Sequence, residues 1–186
     1  MKVKRIVITG APGTGKTVVV QELEKLGFHC YHEIIRDMTA KAKQTETKNK
    51  MVSNPLVFVN DPMEFNKTLL YGREKHFNES LGRRETMCFF DRGIPDVLAY
   101  MDFFGQKYPS DFEGLSRQKR YDAIFVLPPW KAIYVSDNER LESFEEAEKL
   151  HHHLMETYIR FGYSPIIVPK ASIRERTSFI LDTLPK

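Results

Sequence analysis

Residues 10–17 read Gly-Ala-Pro-Gly-Thr-Gly-Lys-Thr and fit the pattern G-x-x-x-x-G-K-[ST] at Gly10, Gly15, Lys16 and Thr17. Val3, Ile6, Val7 and Ile8 form an apolar run just before it, and Val18, Val19, Val20, Leu23 and Leu26 follow with helical spacing. Strand, glycine loop and helix in this order make a phosphate cradle. Backbone N–H groups of Ala11, Pro12's neighbour Gly13, Thr14 and Gly15 turn inward, and the first helical turn adds unpaired N–H groups and the positive end of the helix dipole. Lys16 is expected to reach the β and γ phosphates of a bound nucleotide, and the Thr17 hydroxyl to bind Mg²⁺. A glycine-rich turn that merely joins strand to helix is the plainer alternative, but the lysine and the flanking pattern disfavour it.

Apolar runs of strand type then alternate with helical ones, which implies an α/β fold on a parallel sheet. Strands are expected at about 3–9, 28–31, 86–90, 123–127 and 166–168, and helices at about 16–26, 33–43, 61–81, 95–104, 143–161 and 172–184. Asp61-Pro62 has the form of a capped helix start, and Ser143 caps another. Residues 105–114 read as a loop followed by a short helix to about 120. The polar stretch 44–54 reads as a mobile loop or a frayed helix end. At 186 residues, with no internal repeat, the chain reads as one domain spanning 1–186.

Ligands of an open parallel sheet bind beyond the carboxyl ends of its strands. Those ends carry the glycine loop; then His32, Glu33, Arg36 and Asp37; then Asp91, Arg92 and Asp96; then Trp130, Lys131, Asp137 and Arg140; and last Lys170 and Ser172. Asp91, closing a Cys-Phe-Phe strand, is placed to hold Mg²⁺ directly or through water; the other reading is a helix N-cap. Arg92 and Arg36 are candidates for gripping an anionic acceptor, with Asp96 beside them, or else are ordinary ion-paired or solvated arginines. Glu33 is a candidate to take a proton from an attacking hydroxyl, or to complement a helix dipole. Arg140, in an irregular charged segment, suits a lid that closes over a transferring phosphoryl group, or a solvated helix start.

Other classes are disfavoured. A net charge of +3 is too small to argue for nucleic acid, and no apolar run approaches the roughly 20 residues that span a bilayer. Cys30 and Cys88 read as buried thiols of a reduced, cytoplasmic chain. His151, His152 and His153 lie on one helix about 100° apart, so they do not converge on a metal.

The stretches ITGAPGTGKT, HEIIRDM, FFDRGIPDVLAY, YDAIFVLPPW, DNERLESFEEAEKLH and VPKASIRERTSFIL are similar to those of the small P-loop AAA-domain proteins related to the kinase domain of the NAD regulator NadR. The likeness runs nearly end to end. It implies a three-layer P-loop NTPase fold with sheet order 2-3-1-4-5, of nucleoside- and nucleotide-kinase type. It further implies a carboxylate after strand two (Glu33), an acid–arginine pair after strand three (Asp91-Arg92), an arginine lid (Arg140), and an adenine site near Ala171 and Ser172. One departure is Val18, where many such kinases have a second hydroxyl, so the resemblance does not carry over an α-phosphate contact there, though it does carry over the nucleotide. The expected activity is Mg²⁺-dependent transfer of the ATP γ-phosphate to a hydroxyl or phosphate on a small-molecule acceptor, by a monomer or homodimer. The rival is a regulatory ATPase or GTPase switch acting on a protein or lipid partner.

Overall fold

The computed structural model describes residues 3–34, 61–134 and 143–184. Five parallel strands form one sheet: β1 (Lys4–Gly10), β2 (His29–Tyr31), β3 (Met87–Asp91), β4 (Ala123–Leu127) and β5 (Ile166–Ile167), in the order β2-β3-β1-β4-β5. Parallel strands need crossovers, and the helices supply them: α1 (Lys16–Lys25), α2 (Pro62–Ser80), α3 (Ile94–Phe103), α4 (Ser110–Gln118), α5 (Phe144–Arg160) and, after β5, α6 (Ile173–Thr183). A single 3₁₀ turn, Lys131–Ile133, follows β4.

Both faces of the sheet are covered, and the period-2 alternation of the strands sorts the core into two layers. Val7, Tyr31, Phe90, Ile124 and Val126 face α2, α3, α4 and α5 through Leu69, Leu98, Phe112 and Tyr158. Ile6, Ile8, Cys30, Phe89, Phe125 and Leu127 face α1 and α6 through Val19, Leu23 and Ile180. The three-layer α/β architecture and the strand order are those the family likeness implies. Cys30 and Cys88 are free thiols on opposite faces of the sheet, so no disulfide joins them. Burial pushes the Cys30 thiol up to about 12.

Helix ends follow the local chemistry. Asp61 accepts from the N–H groups of Met63 (3.0 Å) and Glu64 (3.1 Å) to start α2. Ser143 and Ser172 each form a reciprocal box, with Glu146 and Glu175 respectively. The expected loop at 105–114 is corrected: α4 already begins at Ser110. Pro109 sets its entry, Asp111 and Glu113 complement its dipole, and Phe112 is driven inward, which together outweigh the roughly 1 kcal/mol that Gly114 costs inside a helix. The expected helix at 33–43 and loop at 44–54 lie outside the described residues, Glu33 and Ile34 apart.

Candidate active site

Strand order reverses between β1 and β3, so the crevice beyond their carboxyl ends is where a sheet of this kind receives a ligand. β1 delivers the glycine loop there and β3 delivers Asp91-Arg92. The register holds the two together: Ile8 pairs with Asp91, and the Arg92 N–H donates to the Ile8 carbonyl at 3.0 Å.

The loop is closed in by glycine geometry. Gly13 has φ 76°, and a Cβ there would stand 2.6 Å from the Tyr134 ring. Gly15 caps α1 with φ 78°, a left-handed conformation that favours glycine. No side chain caps α1, and no acidic residue sits in its first turn. Its leading N–H groups therefore keep their capacity for an anion. Thr14 and Lys16 are buried, whereas Thr17 is part-exposed and Val18 is exposed beside them.

Lys16 Nζ donates to Asp91 Oδ1, and Glu33 Oε2 lies 3.7 Å from the same ammonium. Asp91 is 2% exposed, and its second oxygen, Oδ2, is buried with no partner among the described residues. The N-cap reading of Asp91 is excluded, because Gly93 occupies the cap of α3. Glu33, the first carboxylate after β2, accepts from Arg92 Nε at 2.7 Å. Burial by itself would raise the Glu33 carboxyl, but the Arg92, Lys16 and Arg73 cations and the Arg92 hydrogen bond outweigh it and hold it at about 2. A carboxylate so stabilised accepts hydrogen bonds readily but is a weak proton acceptor at neutral pH.

Arg92 is not a surface arginine: it is 7% exposed, with φ 75°, the one non-glycine residue of positive φ among the described residues. Such a backbone costs about 1–3 kcal/mol and persists only where its surroundings over-determine it. Here Arg92 Nη1 donates to the Gly10 carbonyl (3.1 Å) and to Asp96 Oδ1 (3.3 Å), and the guanidinium lies 5.0 Å from the centre of the Tyr100 ring. The guanidinium thus ties the carboxylate after β2 to the base of the glycine loop.

Asp96, expected beside the acceptor-contacting arginines, is fully buried and accepts from Thr9 Oγ1, Tyr158 Oη, the Gly93 N–H (2.9 Å) and Arg92. It fixes Arg92 from below. Ser172 likewise spends its hydroxyl on the α6 box with Glu175, leaving the backbone at Ala171 and Ser172 as the available surface beside α1. Arg36 and Arg140 lie outside the described residues.

Two buried arginines that touch the loop and the start of α3 were not read from the sequence. Arg73 of α2 is 4% exposed and donates to the Gly93 carbonyl at 3.1 Å. Arg176 of α6 is 5% exposed and donates to the Thr14 carbonyl at 3.1 Å. Each stands on the apolar stripe of its helix, Arg73 between Leu69 and Phe77 and Arg176 before Ile180 and Leu184. A cation in phase with a buried stripe is the signal that points to them. No group of three or more His, Cys, Asp or Glu able to hold a metal occurs among the described residues, the histidine run included.

The family model described as an AAA domain matches residues 5–176. No curated protein matches the sequence. Among solved structures, thymidylate kinase from Ehrlichia chaffeensis superposes with a TM-score of 0.65 at 14% identity over 100% of both chains. A deoxyadenosine kinase from M. mycoides gives 0.63 at 15% identity, covering 96% of this chain and 97% of that one. NadR protein in complex with NR gives 0.63 at 18% identity over 97% of this chain, which spans about half (49%) of the NadR chain. At these identities the likeness is one of fold.

Proposed function

The chain belongs to the AAA domain family, and on that premise we propose that it is an ATP-dependent phosphotransferase of nucleoside- or nucleotide-kinase type, acting as a single unit over residues 1–186. The observation that carries the reading is the convergence of Lys16, Asp91, Glu33 and Arg92 at one crevice, from the ends of β1, β2 and β3. The buried Glu33–Arg92 pair sets a carboxylate beside the loop's lysine, more than phosphate binding alone requires. The kinase-fold neighbours support the same reading.

In this reading the loop amides of residues 13–17 and Lys16 bind the β and γ phosphates. Lys16 pairs with Asp91 and lies near Glu33, and in this reading its ammonium turns to the phosphate oxygens when nucleotide binds. Thr17 and Asp91 would fit a Mg²⁺ ion: a part-exposed hydroxyl at the helix start, and a buried carboxylate oxygen that lacks a partner among the described residues. Bound there, the metal would neutralise phosphate charge. Glu33 receives a hydrogen bond from the acceptor hydroxyl and orients it; as the hydroxyl oxygen bonds to the γ phosphorus and the bond from that phosphorus to the β-phosphate oxygen breaks, the hydroxyl proton passes to Glu33. Arg92 positions Glu33, and Asp96 positions Arg92. Arg36 keeps its expected role toward the acceptor, and Arg140 its role as the closing cation. Val18 lies toward the α phosphate, and Ala171 and Ser172 border the adenine. The acceptor is a nucleoside or a comparable small polar metabolite.

A coupled ADP-release assay over nucleosides, nucleoside monophosphates and nicotinamide riboside tests this. At least one acceptor is expected to raise turnover about tenfold or more, and Asp91→Ala to abolish the gain. Protein that binds MgATP yet releases ADP equally with and without every acceptor would contradict the transferase reading.

A further inference from the structure

Arg176 is an expensive residue where it stands. Its guanidinium is 5% exposed, pairs with no carboxylate among the described residues, and leaves Nε buried without a partner. Burial alone pulls it below its ordinary value. Among the described residues this cation has no carboxylate partner, and an anion that completes it when bound is a natural complement. The one group it does hold is the Thr14 carbonyl, at 3.1 Å, and a Cβ on Gly15 would come within 2.9 Å of Nη1.

The peptide unit in question is Thr14–Gly15. In a trans peptide the C=O and N–H point in opposite directions. A cation donating to the Thr14 oxygen therefore sits behind the loop, while the Gly15 N–H of the same unit points to the other side. Polarising the carbonyl makes that N–H a stronger donor, because hydrogen bonds in series reinforce one another. The positive charge also acts through a low-dielectric interior, where screening is weak.

We propose that Arg176 is a positioning residue for the nucleotide's phosphates: it acts through the Thr14–Gly15 peptide, sharpening the loop amides and adding a buried positive charge behind the loop. This rests on the nucleotide reading of the loop given above. A residue at the far end of the chain thereby tunes a loop at its start.

The test is a titration of MgATP, MgADP, AMP and inorganic tripolyphosphate into the full chain, its Arg176→Met and Arg176→Lys variants, and Lys16→Ala. Arg176→Met is expected to weaken MgATP and tripolyphosphate about tenfold, MgADP less and AMP least, with a shallower salt dependence. Arg176→Lys is expected to recover most of the loss. Should Arg176→Met fail to fold, Arg176→Gln, neutral but hydrogen-bonding, gives the same graded loss. An equal loss for every ligand marks a purely structural role and overturns the inference. So does undiminished MgATP affinity in a chain whose Lys16→Ala form has lost it, and in that case the nucleotide reading itself survives. A wild-type chain that binds none of the four ligands would sink that reading and the inference together.

Discussion

Glu33 shows how a single side chain takes its chemistry from its neighbours. Held at about 2 against its ordinary 4.5, it stays ionised throughout the neutral range, so it supplies no acid limb to a pH–rate profile above about pH 5. The same shift bears on stability. A carboxyl whose value falls on folding contributes stability that is fully present above 4.5 and is lost as pH drops through that value toward 2. Urea unfolding of the wild type and of Glu33→Gln at pH 6, 4.5 and 3 should therefore show their difference shrinking as acid is added; a constant difference would mean that the Arg92 and Lys16 contacts do not hold the carboxylate. At this scale Lys16, Thr17 and Asp91 were legible in the sequence, because the loop pattern and the strand-end rule name positions directly. The burial of Asp96 was not, since it depends on Tyr158, 62 residues away. Arg176 was hidden for the same reason, meeting Thr14 across 162 residues.

At the scale of elements, the helices owe their positions to caps as much as to apolar stripes. Ser143 starts α5 by accepting from the Glu146 N–H at 3.1 Å, while its own N–H donates to Glu146 Oε2 at 2.6 Å. Both ends of that box are exposed, so Ser143→Ala removes it without opening a cavity and should cost about 1 kcal/mol in denaturant unfolding. α5 packs on α3 through Ala147, Leu150 and Ala99, and α3 starts next to Arg92. The loss should therefore appear mainly as stability, with nucleotide affinity unchanged; a larger fall in affinity would show that α5 also sets the site. Element positions were readable because caps, glycines and apolar periodicity agree. α4 was misplaced because Gly114 imitates a loop, while the burial of Phe112 that overrides it is a tertiary effect.

The whole molecule is a sheet whose central strands, β1 and β3, end in the loop and in the acid–arginine pair, with α1 and α6 on one face and α2 to α5 on the other. Alternation of strands and helices made the α/β class legible, and the order 2-3-1-4-5 came from the family likeness, since parallel order leaves little trace in local sequence. Backbone amides that receive phosphate are the central claim, and amide resonances report on them directly. On titration with MgATP, the amides of Gly13, Gly15, Lys16 and Thr17 should shift most and gain protection from hydrogen exchange, and Lys16→Ala should erase both effects. Shifts confined to other surfaces, or unchanged loop amides at saturating nucleotide, would contradict it.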